Sequence, residues 1–258
     1  MALLPDFGRK LIFEKNVDIP AGLKTGSAYD LTLYPELGNP TRGVLTVTVI
    51  GNFSFKDGKK ADGSKLGWTE AEKTNFKLGF RNAVTAMWDD KHRITTASTA
   101  PFMKSVGVLF YIWTRESMSV FDHSHWNIGV TKTDRMIVST VNGSGGSFAT
   151  NGGANLDSED LTGVNKGAAS TQRGAVHEFG HMMGFRDEYA DGKGVAEDNP
   201  NWLGDTGSVM NRGETVRDRH YVFFADWLTK QFKAFANAKG TRIDWKVNGT
   251  VDLSNARL

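Results

Sequence analysis

Cysteine is absent from this chain of 258 residues. Its absence excludes disulfide bonds, thiolate metal sites and a cysteine nucleophile at the same time. It does not indicate a cellular compartment, because a protein without disulfides folds in reducing and oxidising surroundings alike. A metal or catalytic site in this chain must therefore use other side chains.

The chain also lacks an excess of charge and a long apolar run. Its 31 Lys and Arg residues nearly balance 29 Asp and Glu residues, and a net charge of +2 favours neither nucleic acid nor an anionic membrane as a partner. The longest apolar run, residues 106–113, is far shorter than the roughly 20 residues of a membrane helix. The residues before Pro5 are too few for a secretory signal, which needs about 7–15 apolar residues. The sequence predicts a soluble protein that is cytoplasmic, is exported without such a signal, or has already lost one.

Prolines are few and unevenly placed, with four of the six in residues 1–42. Repeated prolines favour loose strands, so we expect residues 1–42 to form an N-terminal β extension packed on a core. Apolar residues make up 39% of the chain, which is enough for a sizeable core. We expect residues 43–258 to form one domain of mixed helices and strands.

Residue periodicity predicts the first elements of this domain. Residues 43–55 alternate β-branched side chains and predict a long strand. Thr69 and Glu72 have capping-box spacing and predict the start of a helix. Its apolar face would consist of Phe76, Phe80, Ala83, Val84 and Met87. Shorter strands are predicted at 92–98, 106–114, 122–130 and 135–141.

The second half of the chain contains two irregular stretches, at 142–167 and 190–213. The first is rich in Gly, Ser, Asn and Asp and predicts a long loop that is functional or mobile. A helix is predicted to follow from Ser170–Thr171, which are acceptable N-caps. A last helix at 216–238 would carry Phe224, Leu228, Phe232 and Phe235 on one stripe. Asn248–Gly249 predicts a C-terminal hairpin at about 241–254.

The stretch HEFGHMMGFRD, residues 177–187, holds two of the six histidines. Residues four apart lie on one face of a helix, so His177 and His181 can present imidazole nitrogens to one cation. Glu178 would border that cation. Imidazole suits zinc, which lowers the pKa of a coordinated water towards 7 so that a nearby carboxylate can take its proton. A structural zinc site is the weaker alternative, since such sites usually have four ligands and often use cysteine.

A catalytic zinc site needs a third protein ligand. Gly184 could end the helix in the left-handed conformation, and the turn would then return the carboxylate of Asp187 to the same ion. Glu188, the next residue, and His220 are alternative third ligands.

The full string H-E-x-x-H-x-x-G-x-x-D resembles the long zinc motif of the metzincin clan of endopeptidases. Aspartate in place of the final histidine is similar to the snapalysin type. The resemblance implies that His177, His181 and Asp187 bind Zn²⁺ and that Glu178 is the general base. It also implies a methionine turn below the metal, for which Met210 in GSVMNRG is suitably placed. The implied fold is a metzincin-like α+β domain with a mixed, twisted sheet, an active-site helix and a C-terminal helix.

His123 and His125 alternate onto one face of a predicted strand and raise the possibility of a second metal site. We favour a half-exposed strand instead. By the resemblance, this strand would lie at the sheet edge and hold substrate by strand addition.

Several other polar and aromatic residues have a structural as well as a functional interpretation. Asp157, Glu159 and Asp160 lack a recognised calcium-loop spacing, so a solvated loop is favoured over an ion site. Tyr189 and Tyr221 are candidates for stabilising an oxyanion or are simply packed aromatics. Trp202 would line a substrate pocket or anchor its loop. Met182 and Met183 are predicted to fill the core.

These observations together predict a zinc-dependent endopeptidase that acts as a monomer on a protein or peptide substrate. One alternative is a zinc-containing binding or toxin-delivery module. Another is a protease effector delivered into a target cell. The two classes differ in hydrolysis, because a module whose zinc serves folding or recognition would bind metal without turnover.

Overall fold

The structure is a computed structural model and describes part of the chain. The described residues are 10–17, 27–99, 103–116, 124–135, 137–142, 152–167, 170–189, 200–239 and 243–247. Its strands are β1 (Ile12–Val17), β2 (Tyr29–Glu36), β3 (Asn39–Lys56), β4 (Gly58–Lys59), β5 (Lys65–Leu66), β6 (Ile94–Thr95), β7 (Ser105–Arg115), β8 (Trp126–Thr131), β9 (Thr140–Asn142), β10 (Gly152–Asp157), β11 (Val164–Asn165), β12 (Thr171–Gln172) and β13 (Lys246–Val247). Its α-helices are α1 (Glu70–Trp88), α2 (Gly174–Met182) and α3 (Val222–Lys239), and short 3-10 helices lie at Pro200–Trp202 and Asp218–Tyr221.

A mixed sheet of nine strands forms the framework within the described residues. Its main order is β13-β6-β7-β3-β8-β10-β9, and β2 joins β3 while β1 joins β2. The pairs β3–β7, β3–β8 and β8–β10 are parallel, and the remaining pairs are antiparallel. This sheet and three helices form a single α+β domain, as expected at that level.

The N-terminal strands belong to the same sheet as the core. The expected boundary between residues 42 and 43 lies inside β3, and β2 pairs antiparallel with β3. Glu14 on β1 also accepts hydrogen bonds from Trp227 and Gln231 of α3. Residues 10–17 and 27–42 therefore extend the sheet and link it to the last helix.

Helix α1 has the predicted capping box and the predicted buried face. Thr69 accepts from the Glu72 amide, and the Glu72 carboxylate accepts from the Thr69 amide. Phe76 and Phe80 pack edge-on against Phe53 of β3, with ring centres 6.5 and 5.5 Å apart. Trp88, the last residue of α1, is fully buried. These contacts fix α1 on one face of the sheet.

The rings around Trp88 join α1 to the helix that carries the histidines. Its indole lies edge-on to Phe179 of α2, at 5.7 Å, and stacks on Phe185 at 5.9 Å. Because aromatic side chains bury large areas, this cluster contributes strongly to the stability of the α1–α2 packing. Met182 and Met183 are buried, which confirms their predicted place in the core.

Some predicted strands are longer or differently placed than the structure has them. The predictions at 43–55 and 106–114 fall inside β3 and β7 and are confirmed. Only Ile94–Thr95 of the predicted 92–98 strand and Thr140–Asn142 near the predicted 135–141 strand are extended. The strand predicted at 122–130 begins at Trp126, and residues 122–123 lie outside the described residues.

The prediction of one long loop at 142–167 is wrong. Strand β10 lies within it, parallel to β8, and Ala154 and Leu156 of β10 are buried. The sequence of β10 does not indicate a strand, because it is rich in polar residues and glycine. Its apolar side chains are short and need neighbours on β8 to bury them. The carboxylates of Asp157 and Asp160 are buried as well, so the expected solvated position is wrong for both.

The ends of the last two helices also differ from the prediction. Helix α2 begins at Gly174, because Thr171 and Gln172 form strand β12 with β11. Helix α3 begins at Val222 after the 3-10 turn, and Phe224, Leu228 and Phe232 are buried on its predicted stripe. The side chain of Phe235 and the predicted turn at 248–249 lie outside the described residues. No helix in the described ranges is long and apolar enough to cross a membrane.

Candidate metal centre

Helix α2 places the two motif histidines on one face, where their rings meet at nearly a right angle. The ring centres of His177 and His181 are 4.8 Å apart. His177 Nδ1 lies 2.8 Å from the carbonyl oxygen of Val209, and His181 Nδ1 lies 2.7 Å from that of Phe185. A carbonyl only accepts, so each Nδ1 donates, and each Nε2 keeps a lone pair for a cation.

The chain reverses after α2 and brings Asp187 to these nitrogens. Gly184 has a φ of +96°, the left-handed conformation predicted for this turn. The Phe185 amide then donates back to the Gly180 carbonyl oxygen at 3.0 Å. As a result, Asp187 Oδ1 lies 3.1 Å from His177 Nε2 and 3.3 Å from His181 Nε2.

Asp187 Oδ1 lies from each histidine Nε2 at the spacing of ligands around one small cation. Zinc bonds of about 2.0–2.1 Å in tetrahedral geometry separate ligand atoms by about 3.3 Å. Asp187 Oδ1 is buried and has no well-aligned hydrogen bond to any described residue, although both nitrogens are close to it. An Oδ1 lone pair directed towards the lone pairs of two Nε2 atoms is typical of three ligands that share one metal ion. The donor set therefore fits zinc.

Charge and burial at Asp187 agree with this arrangement. Burial acts to raise the pKa of Asp187, but the two imidazoles outweigh it and hold the pKa below its ordinary value. Burial acts to lower the pKa of His181, but the Asp187 carboxylate outweighs burial and raises it. Without a metal ion, the charged forms of Asp187 and His181 therefore stabilise each other.

Glu178 also lies at this cluster. It offers a carboxylate oxygen within 4.8 Å of nitrogen atoms of His177 and His181. Burial raises the pKa of Glu178, and its Oε2 has no hydrogen-bond partner among the described residues. A buried carboxylate with an open acceptor beside a cation site is suited to proton transfer.

The turn that carries Met210, where the resemblance implies a methionine turn, packs against α2. Met210 is fully buried, and a Cβ atom at Gly180 would lie 2.1 Å from its sulfur. Gln172 holds this turn by donating to the carbonyl oxygens of Val209, Asn211 and Gly213. Gln172 thus organises the floor of the site, yet its place in the sequence gave no signal of this role.

Neither alternative third ligand points at the histidines. The Glu188 carboxylate is buried in a two-point contact with Arg219, at 2.7 and 2.6 Å. Burial acts to raise the pKa of Glu188, but these hydrogen bonds and one from His220 lower it to about 2. His220 accepts from the Arg217 amide through Nδ1 and has Nε2 3.3 Å from Glu188. Of the three proposed third ligands, Asp187 is therefore the one that contacts both histidines.

The aromatic candidates Tyr189, Tyr221 and Trp202 lie in three different surroundings. Tyr189 is half-buried, with its ring centre 6.1 Å from that of His177, whereas the Tyr221 hydroxyl is buried and donates to the Trp88 carbonyl oxygen. This bond places Tyr221 in the core, away from a reacting carbonyl. Trp202 packs on the Arg219 guanidinium at 4.3 Å, as an anchor of its loop would.

Strand β8 alternates buried with more exposed residues, as expected of a half-exposed strand, but its place in the sheet and the burial of His125 differ from the expectation. His125 is fully buried, and its Nδ1 accepts from the Ile50 amide at 2.9 Å. Strand β8 lies between β3 and β10, so the expected edge position is wrong. Strand β8 is interior because β10, which lies in the polar stretch 142–167, pairs with the edge of β8 that faces away from β3. His123 lies outside the described residues.

Comparisons of the chain with protein-family models, with curated proteins and with solved structures find no match. A function for this chain must therefore be inferred from the geometry of its own residues.

Proposed function

We propose that this chain is a zinc-dependent endopeptidase of the metzincin type, in the aspartate variant that resembles snapalysins. The observation that carries the proposal is the convergence of two imidazole nitrogens and the Asp187 carboxylate next to a buried Glu178. His177, His181 and Asp187 would hold the ion. Three protein ligands leave a fourth position for water or substrate, as in catalytic zinc sites.

Each residue around the ion has a separate task in this mechanism. A bound zinc ion would supply Lewis-acid activation of a water and of the scissile carbonyl. Val209 and Phe185 orient the histidine rings through their carbonyl oxygens. Glu178 takes the proton of the water and passes it to the leaving nitrogen. Its burial keeps the carboxylate poorly solvated and ready to accept that proton.

Substrate would bind along β9 rather than along β8. Among the described residues β9 is the end strand, paired only with β10, and both strands pack near α2. An extended peptide could add to this edge through main-chain hydrogen bonds. Val138, just before β9, is 87% exposed and offers an apolar contact beside the strand.

A comparison of Glu178→Gln with His181→Ala tests the proposal. Glu178→Gln should keep zinc and lose about 10²–10⁴-fold in turnover, because it removes the base and keeps the ligands. His181→Ala should lose zinc and turnover together. Elemental analysis gives metal content, and mass spectrometry of an unbiased peptide mixture gives hydrolysis.

Glu70→Gln is the matched control, since Glu70 is an exposed residue of α1. It should keep wild-type metal content and turnover. Wild-type protein that binds zinc yet hydrolyses no peptide would contradict the peptidase and favour the zinc-containing binding module. Near-normal hydrolysis by Glu178→Gln would contradict the role of Glu178.

A further inference from the structure

A network of buried charges lies behind the metal centre, on the far side of Glu188. Arg219 binds Glu188 through Nε and Nη2, at 2.7 and 2.6 Å, and binds Asp205 through Nη2 at 2.7 Å. Only about a tenth of the Arg219 side chain and a twentieth of the Glu188 side chain are exposed. Arg217 completes the network with two bonds to Asp205, at 2.9 and 2.6 Å.

Arg219 and the backbone around Met210 together hold the residue that directly follows Asp187. The Glu188 amide donates to the Met210 carbonyl oxygen at 2.8 Å, and the Glu188 carbonyl oxygen accepts from Asn211 Nδ2 at 2.7 Å. Together with the Arg219 fork, both backbone groups and the side chain of Glu188 are engaged. Asp187 itself has no such anchor at Oδ1 in the described part of the chain. The position of its carboxylate therefore depends on Glu188.

We infer that Arg219 is a positioning residue for the metal centre. Its guanidinium clamps Glu188 against the methionine turn and so fixes the turn that presents Asp187 to His177 and His181. The planar fork of arginine suits this task, because two parallel hydrogen bonds to a carboxylate define orientation as well as distance. This inference rests on the proposed zinc site, and metal binding tests it without any need for peptidase activity.

The first experiment measures cobalt(II) and zinc affinity of Arg219→Gln by competition with a chelator. Loss of an outer residue that orients a ligand typically weakens metal binding by about 10- to 100-fold, and we expect a loss of that size. The visible spectrum of the cobalt form should also change, because the Asp187 oxygen would move relative to the two nitrogens. Arg219→Lys keeps the charge without the fork and should be intermediate in both measurements.

Arg217→Gln is the matched control. Arg217 lies two residues away and shares Asp205 with Arg219, but in the structure it does not bond to Glu188. Its variant should keep wild-type metal affinity and the wild-type cobalt spectrum. The melting temperature of each metal-free variant shows how much general stability has been lost, and equal effects of both arginine variants on metal affinity would overturn the inference.

A double-variant cycle separates positioning from general damage. If Arg219 acts through Asp187, then adding Arg219→Gln to Asp187→Ala should not weaken the remaining cobalt binding further. An independent, additive loss would overturn the inference. If Arg219→Gln kept wild-type metal affinity, the inference about Arg219 would be overturned and the proposed function would stand. If the wild-type chain bound no metal, both the inference and the proposed function would be overturned. Should Arg219→Gln fail to fold, Arg219→Lys carries the same comparison.

Discussion

At the scale of single residues, two glycines determine how closely the chain packs around the metal centre. Gly184 permits the left-handed turn that returns Asp187 to the histidines. Gly180 permits Met210 to lie against α2, because a Cβ atom there would meet its sulfur at 2.1 Å. The first role was predictable from the spacing of the motif. The second was not, because it depends on a residue 30 positions away.

Gly180→Ala should destabilise the protein, although alanine favours a helix over glycine by about 1 kcal/mol. The added methyl group must displace Met210 in a filled core, which typically costs about 1–3 kcal/mol. Chemical denaturation of the variant measures the free energy of unfolding. Adding Met210→Ala to Gly180→Ala should reduce this cost below the sum of the two single changes.

Gly79→Ala in α1 is the matched control. A Cβ atom there would meet only Leu161, through a terminal methyl group of a flexible, half-buried side chain. This variant should be close to wild type in stability. Equal destabilisation by the two substitutions would show that Met210 does not limit the space at Gly180.

At the scale of helices and strands, an element can be predicted from the sequence when the contacts that stabilise it are between residues close in sequence. Helix α1 could be predicted because Thr69 and Glu72 cap it locally. The start of α2 could not, because its N-cap residue, Arg173, makes no side-chain cap. Instead the Ala175 amide donates to the Asp160 carbonyl oxygen, and the Arg173 amide donates to Glu214. Both partners are remote in sequence, so no local pattern marks this boundary.

The Asp160 carboxyl near the start of α2 should make stability depend on pH. Burial raises the pKa of Asp160 to about 7, although hydrogen bonds from Ser139 and the Asp157 amide act in the opposite direction. The folded chain thus binds this proton more tightly than the unfolded chain does. The stabilising contribution is complete below about pH 4 and is lost as the pH rises through about 7, with a slope of at most about 1.4 kcal/mol per pH unit.

Asp160→Asn should remove this slope, because its amide oxygen can accept the same hydrogen bonds and cannot ionise. The measurement is the free energy of unfolding at several pH values between 4 and 8, for wild type and variant. Asp226→Asn, at an ion-paired position on α3, should keep the wild-type slope. Parallel profiles for wild type and Asp160→Asn would contradict the assignment of the raised pKa.

At the scale of the whole molecule, the sheet order decides which of the described strands lie at an edge of the sheet. The α+β class, the long strand β3 and the metal motif could be predicted, since each has a local pattern. The interior place of β8 could not, because it follows from pairing with β10, whose residues Gly152 and Gly153 do not favour a strand. Which strand lies at an edge depends on such distant pairings. The place of β9 at one end of the main strand order, among the described residues, could therefore be seen only in the three-dimensional structure.

The whole core should remain folded when the metal is removed. Phe76 and Phe80 of α1 pack on Phe53 of β3, all three are buried, and their packing involves neither His177 nor His181, so we expect the metal-free chain to retain a core. Bound zinc at a thousand times its dissociation constant would stabilise the fold by about 4 kcal/mol. For a chain of this size, that energy corresponds to a shift in melting temperature of about 8–16 °C.

Calorimetry with and without a chelator measures this shift. We expect a lower but still cooperative transition after chelation, because the proposed ion would be held by one helix and one turn at the side of an existing core. Asp187→Ala, which lacks one of three protein ligands, should show a much smaller shift. Structural zinc domains behave differently, since they lose their fold with their metal. Loss of cooperative unfolding in the metal-free chain would indicate that the ion holds the fold, and the catalytic interpretation would then give way to the structural one.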